Sequence, residues 1–383
     1  MKKKGGSSMD ENVKEIVLTG GPCGGKTTAL SYVSEKLMDQ GFRVFIIPEV
    51  ATKFITGGIH DIGKIAKKEP EKYFEIERQM LLEQISQHKR FREIAGLFPK
   101  EKRVIISDRG PMDIKPYMHH SGDFKTIMRQ HKFRIHNLRD VFDSVIHLVT
   151  AAKGAEKFYT MENNRARRES INEARIADSK TMNAWIGHSH LKIINNPDGH
   201  GFDCKMKRVF QVMCQVIGIP VPLEIERKFL LAKIPDFNAG PFKYAKRIFI
   251  EQMYLSQRGD KEESRIRKRA QKRSVTYYQT HKLKLAPGVR QETEKIIKPE
   301  EYSVLSHLRN PATQIIRKYR YCFIYKFQYF ELDVIFQPIP LCLLEIELTE
   351  ENDHIELPPF LKISKEVTGD SRYENFSIAN GSR

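Results

Sequence analysis

The sequence predicts two domains of different class: an α/β domain whose parallel sheet is covered by helices on both faces, then an α+β domain built on a closed antiparallel β-barrel. Three observations carry that prediction. Gly20-Gly21-Pro22-Cys23-Gly24-Gly25-Lys26-Thr27 fits G-x-x-x-x-G-K-[ST], between a short apolar run and a helical pattern. Five short apolar runs alternate with helical stretches up to Val216. Beyond Gly218-Ile219-Pro220-Val221-Pro222 the grammar changes to period two, with charges on alternate positions.

A chain of 383 residues exceeds what one hydrophobic core normally carries. The division expected is a first domain over 12–218 and a second over 219–383, with residues 1–11 set aside as a flexible basic tail or cloning remnant. At 40% hydrophobic and 30% charged, the composition is that of an ordinary globular protein. No stretch approaches the ~20 apolar residues of a membrane span, and no leader pattern opens the chain, so a cytoplasmic location is expected. The five cysteines are odd in number and scattered, which points to a reducing compartment rather than a disulfide framework. A net charge of +17 calls for polyanionic partners: nucleotide phosphates, nucleic acid or anionic lipid.

In the first domain, Ile16-Val17-Leu18 reads as a buried strand and Thr28 to Met38 as the helix after the glycine loop. Strand, loop and helix together make Gly20, Gly21, Pro22, Cys23, Gly24, Gly25, Lys26, Thr27 and Thr28 a nucleotide-binding segment, whose backbone N–H groups and helix dipole favour phosphate. Lys26 is expected on the β/γ oxygens and Thr27 on Mg²⁺, with ATP or GTP as ligand. Arg43 to Ile47 forms a second strand, after which Glu49 points either into the nucleotide crevice or into solvent. Ala51 to Lys68, rich in glycine and lysine, reads as a mobile loop, and Lys72 to Ala95 as a long surface helix. Arg103 to Ser107 is a buried strand delivering Asp108 to the metal side of the phosphates opposite Thr27. The following Arg109 resembles the Asp-Arg pair of small-molecule P-loop kinases, which implies a catalytic place near the transferred phosphoryl group. Asp143 to Val149 and Leu191 to Asn196 complete the strands. Between them Asn163, Asn164, Arg165, Arg167 and Arg168 open a helix toward Trp185; Arg165 and Arg168 read as lid arginines that neutralise phosphate charge, with a solvated helix face as the alternative. Asn195-Asn196-Pro197-Asp198 lacks the lysine of the guanine-reading Asn-Lys-x-Asp pattern.

In the second domain Glu224-Ile225-Glu226-Arg227-Lys228, Arg265-Ile266-Arg267, Lys282-Leu283-Lys284, Glu292-Thr293-Glu294, Glu331-Leu332-Asp333 and Glu345-Ile346-Glu347 alternate charged and apolar residues. One solution puts the charges in water. The other is a barrel with a charged lumen, cations gripping polyphosphate and acids holding Mg²⁺ or Mn²⁺.

These motifs, with Gln252-x-Tyr254, Arg290-x-Glu292-x-Glu294, Arg317 with Arg320, and Glu366 to Asp370, resemble in order those of the CYTH or triphosphate tunnel family. The resemblance implies that Lys228, Arg265, Arg267, Lys282, Lys284, Arg317 and Arg320 bind polyphosphate or phosphoinositide. It likewise implies that Glu224, Glu226, Asp333, Glu345 and Glu347 stand on the metal side. The glycine loop joined to such a domain, with His147-Leu148-Val149-Thr150-Ala151-Ala152-Lys153-Gly154-Ala155, is similar to the TRPL-translocation-defect family of fly photoreceptors. That implies a GTP-binding regulator of membrane trafficking with P-loop GTPase activity, phosphoinositide binding and peripheral contact with endomembranes. The alternative is a P-loop small-molecule kinase fused to a metal-dependent inorganic or organic triphosphatase. Residues 221–383 carry 28 Lys and Arg against 22 Asp and Glu, too even a balance for a general grip on anionic bilayers, so lipid selectivity requires a site. Nucleic acid is not an expected partner, because no aromatic-interleaved basic stripe or helix-turn-helix is present.

Overall fold

The computed structural model describes residues 13–120, 122–156, 159, 170–196, 201–219, 225–238, 242–256, 262–272, 274–286, 289–348 and 353–381. The chain divides into two compact units, with the main break between Ile217 and Gly218 and residues 134–136 grouped with the second.

The first unit runs β1 (Lys14–Thr19), α1 (Lys26–Asp39), β2 (Phe42–Ile47), α2 (Val50–Thr56), α3 (Ile62–Lys68), α4 (Pro70–Ala95), β3 (Lys102–Asp108), a 3-10 turn (Pro111–Tyr117), α5 (Asp123–Gln130), α6 (Ile135–Leu138), β4 (Ser144–Leu148), α7 (Ile171–Trp185), β5 (Leu191–Ile194) and α8 (Gly201–Ile217). The strands form one parallel sheet in the order β2-β3-β1-β4-β5. Alternation along the buried strands sends Ile16, Leu18, Val104, Ile106, Ile146 and Leu148 to one face, where Val33 and Leu37 of α1 and Val209 and Met213 of α8 cover them. Ile47 and Ile105 turn to the other face and meet Ala95 and Phe91 of α4. The expected loop over 51–68 is instead two short helices. The sequence breaks between them at Gly57-Gly58, where Gly58 takes φ 139. The glycines that suggested a loop are a hinge between two helical turns.

The second unit continues β6 (Glu226–Leu231), β7 (Lys246–Tyr254), β8 (Glu262–Gln271), β9 (Ser274–Ala286), β10 (Val289–Ile297), α9 (Pro299–Ser306), β11 (Ile316–Tyr325), β12 (Gln328–Gln337), β13 (Leu341–Glu347), β14 (Ile363–Glu366), a 3-10 turn (Ser371–Tyr373) and α10 (Asn375–Asn380). Its nine strands form one antiparallel sheet in the order β10-β9-β8-β7-β11-β12-β13-β6-β14. The expected barrel is not closed: among the described residues β10 pairs only with β9 and β14 only with β6. β14 is four residues long and three of them are exposed, so no ladder extends beyond it. After Glu366 the chain turns at Gly369, φ 73, and continues as a 3-10 turn and a helix instead of a further strand. The apolar residues between the charges are packed, not idle: Phe229, Leu332, Leu344, Ile346, Phe323 and Phe330 form a core on the outer face with Phe242 and Leu361.

Candidate functional site

In the first unit the glycine loop joins β1 to α1 at the carboxyl edge of the sheet. Gly25 adopts the left-handed conformation at the N-cap of α1 (φ 86, ψ 17). Lys26 Nζ donates to the carbonyls of Gly20 and Gly21, each at 3.1 Å, and is held within the loop. Thr27 and Thr28 are exposed on the first turn. Burial, with Arg109 nearby, pushes the Lys26 ammonium down to about 8 against the opposing pull of Asp108 and Glu49.

Register places Leu18 beside Asp108, so β3 ends level with the start of the loop. The chain then turns sharply: Arg109 has φ 71 and donates its N–H to the Leu18 carbonyl at 2.8 Å. The Asp108 carboxyl is raised by burial, and its Oδ1 is buried with no hydrogen-bond partner among the described residues. Arg109 Nε donates to Glu49 Oε1 at 2.5 Å, while its Nη1 is buried with no such partner. Glu49 receives Thr52 Oγ1 at 2.6 Å, and Arg109 overcomes burial to hold its carboxyl down at about 2. Glu49 therefore faces the crevice. Asp108 Oδ1 and the Thr27 hydroxyl are hard oxygen donors that fit Mg²⁺. Arg165 and Arg168 lie outside the described residues.

Three buried groups missed in the sequence hold this loop. Asp178 of α7, fully buried, accepts Gly21 N–H (2.9 Å), Thr150 N–H (3.2 Å) and Lys153 Nζ (2.8 Å), and contacts His147 Nε2 (3.1 Å). Burial opposes its charge, but His147 and Lys153 keep the carboxyl below the usual range. Lys205 of α8, 2% exposed, donates to the carbonyls of Gly24 (3.0 Å) and Val149 (2.6 Å) and to Asn196 Oδ1 (2.8 Å). Burial lowers it to about 7, with Asp178 opposing. Asp113 accepts Thr19 Oγ1, Trp185 Nε1 and Gly110 N–H, pinning the turn after Arg109 to β1. The signal existed in the pattern: Asp178 follows Ala174 and Lys205 precedes Val209 on faces that are otherwise buried. Asn196 also donates to the Thr150 and Lys153 carbonyls (2.8 and 2.7 Å), so its amide serves the loop.

The loop is pressed against its neighbours. A Cβ on Gly20 would stand 2.2 Å from the Leu148 carbonyl oxygen, and one on Gly24 2.7 Å from the same atom.

In the second unit, pairing of Tyr254 with Arg265, Gln252 with Arg267 and Ile250 with Arg269 puts these three arginines on one face. Thr280 and Lys282 of β9 join them through Arg265 and Glu263. Arg265 and Arg269 are each 6% exposed. Arg267 meets Glu294 at 3.7 Å, and its Nε is buried with no hydrogen-bond partner among the described residues. Burial and then Arg265 lower the Arg267 pKa from its ordinary value, the signature of crowded positive charge. A cavity of about 260 Å³ is lined by Glu226, Lys228, Arg265, Lys282 and residues of the 367–376 segment.

The other wall is an ionic lattice. Arg320 binds Asp333, Glu331 and Glu345, and Lys318 binds Asp333 at 2.5 Å. Lys228 reaches Glu345 at 3.0 Å and Glu226 at 3.6 Å. Burial opposes charge on Asp333, but Arg320 and Lys318 hold its carboxyl well below the usual range. Of the acids assigned to the metal side, Asp333 and Glu345 are ion-paired with these cations, and no group of three or more His, Cys, Asp or Glu suited to a metal occurs among the described residues. Glu226 and Glu347 remain as neighbours in register across β6 and β13, and Glu224 lies outside the described residues.

Arg317 corrects the expected set of phosphate ligands. It pairs with Glu251 in register, donates to Glu251 at 2.7 Å and to Gln337 at 2.7 Å, and so sits on the face opposite Ile316, Lys318 and Arg320. Period two decides this: Lys318, not Arg317, shares a face with Arg320. Lys284 lies on β9, but its side chain is outside the description.

Residues 15–201 match the AAA domain family and residues 222–373 match the CYTH domain family. No curated protein matches the chain. Among solved structures, the inorganic triphosphatase NE1496 is 31% identical over 41% of this chain and 94% of its own, with a TM-score of 0.30. The PH1819 protein from Pyrococcus horikoshii OT3 is 20% identical over 33% of this chain and 80% of its own, with a TM-score of 0.27. The chain thus joins a segment that matches the AAA domain family to one that matches the CYTH domain family.

Proposed function

We propose that the chain works on phosphoanhydrides at two sites: Mg²⁺·nucleoside triphosphate at the loop of the first domain, and a triphosphate-bearing or polyphosphate substrate in the trough of the second, where it is hydrolysed. The observation that carries the reading is the row Arg265, Arg267 and Arg269 on one strand face, with Arg265 and Arg269 buried, the Arg267 Nε buried without a hydrogen-bond partner among the described residues, and Lys282 beside Arg265 on the cavity wall. Cations crowded out of water are costly unless an anion joins them. A chain of phosphates supplies such negative charge along a groove.

At the first site Lys26 grips the β/γ oxygens, Asp108 and Thr27 hold Mg²⁺, and Arg109, oriented by Glu49, neutralises charge developing on the transferred phosphoryl group. In the trough Arg265, Arg267 and Lys282 hold the substrate, while Lys228 and Arg320 keep the acid wall in place. A divalent metal, Mg²⁺ or Mn²⁺, would supply Lewis-acid activation there, with Glu226 and Glu347, in register across β6 and β13, as side chains that would hold it.

Phosphate release from tripolyphosphate by the full chain tests this. Expected is metal-dependent release that Arg267→Ala cuts by about tenfold or more and Lys26→Ala leaves unchanged; release indifferent to Arg267, or none, overturns the tunnel reading.

GTP as the preferred nucleotide, phosphoinositide as a ligand of the second domain and a trafficking role on endomembranes are the finer reading, implied by the family resemblance; the cation cluster at Arg265 to Arg269 bears on the phosphoinositide alone. Liposomes carrying a monophosphorylated phosphoinositide are then expected to bind more tightly than phosphatidylserine liposomes of equal charge. Equal binding would leave only nonspecific charge.

A further inference from the structure

We infer that Phe202 and Met206 of α8 form a stacking platform for the base of the nucleotide held by the glycine loop. This rests on the nucleotide reading of the first domain. The observation is a close approach: a Cβ on Gly25 would stand 2.8 Å from Phe202 Cε2 and 2.9 Å from Cζ, with the Met206 methyl at 3.6 Å. The phenyl ring thus lies directly on the last glycine before Lys26. It is nevertheless 46% exposed, an unusual state for a large apolar ring in contact with a functional loop.

The platform is rigidly indexed to the loop. Lys205, between the two residues, is bonded to the Gly24 carbonyl at 3.0 Å, which fixes the first turns of α8 against the loop. Further along, Met206, Val209, Val212 and Met213 are buried against Val33 and Leu37 of α1, and Tyr32 meets Phe210 edge to face at 6.3 Å between ring centres. A ring held in this way loses little freedom when a ligand covers it, so contact with a planar base is not offset by ordering. The polar inventory points the same way. Asn196, the residue nearest in sequence to a base-reading amide, has its side chain committed to Thr150, Lys153 and Lys205. Stacking uses the π-face that every base presents, so the platform holds adenine and guanine alike.

The test uses the full chain, with Lys26→Ala as the reference that subtracts any binding elsewhere. Phe202→Ala is expected to weaken Lys26-dependent binding of both Mg·ATP and Mg·GTP by about tenfold while leaving Lys26-dependent binding of Mg·pyrophosphate unchanged. Phe202→Trp should restore nucleotide affinity, and its added indole fluorescence should respond to nucleotide but not to pyrophosphate. Unchanged nucleotide affinity in Phe202→Ala overturns the inference. So does an equal loss for pyrophosphate, which would mean that the ring only props the loop. Absence of any Lys26-dependent binding in the unsubstituted chain would instead remove the nucleotide reading, and the inference with it.

Discussion

Lys26 carries a pH dependence whose sign follows from its surroundings. Its folded pKa, near 8, lies below the ordinary 10.5, so burial makes the charged form costly and folding stability rises with pH between those two values as the penalty is relieved. Phosphate binding needs the charged form and responds in the opposite sense. Nucleotide affinity is expected to hold steady below about pH 8 and to fall by up to about tenfold per pH unit above it. Lys26→Arg, which stays charged, should flatten that decline; an unchanged decline would assign it to another group. The loop's own residues were legible because the motif states them by type and spacing. Asp178 and Lys205 were missed: their helical spacing from Ala174 and Val209 marks a buried face, but what they bond there depends on the loop against which the helices dock.

Along the strands of the second unit, the period-two alternation announced two faces but not which of two adjacent cations belonged to which. Arg317 and Lys318 differ by one residue, and the unbroken register of β11 against β7 is what puts Lys318 on the face of Arg320. The two faces predict different outcomes. Arg317→Ala loses a partly exposed pair with Glu251, a change of about 1 kcal/mol or less in stability, and is expected to leave tripolyphosphate affinity intact. Arg320→Ala strips Asp333, Glu331 and Glu345 of their shared cation and is expected to destabilise the domain by about 3–5 kcal/mol. Denaturant unfolding of the two variants checks the contrast; equal losses would contradict the assignment of faces. Closure of the barrel was overread for a related reason. Strand periodicity specifies sidedness, whereas closure depends on the last strand finding a partner, and β14 is too short to offer one.

At the scale of the whole chain, each unit has its own apolar core, one around Ile16, Leu18 and Val209 and one around Phe330, Leu332 and Leu344. Calorimetry is expected to show two unfolding transitions, with Mg·ATP raising one and tripolyphosphate the other, and Lys26→Ala abolishing only the first shift. A single transition moved by both ligands would show that the units unfold together. The fold classes were readable because composition and period change together near Gly218; the locations of the lattice acids and of the loop's supports were not, because they depend on pairing across the chain. The crowding of Gly20 and Gly24 against the Leu148 carbonyl has a consequence of its own. Neither position has room for a side chain even when no phosphate is bound, so the spacing of these glycines is demanded by the neighbouring strand as well as by the ligand. A descendant that had abandoned nucleotides altogether would still be under pressure to keep them, and the motif's persistence in such a lineage would record architecture, not chemistry.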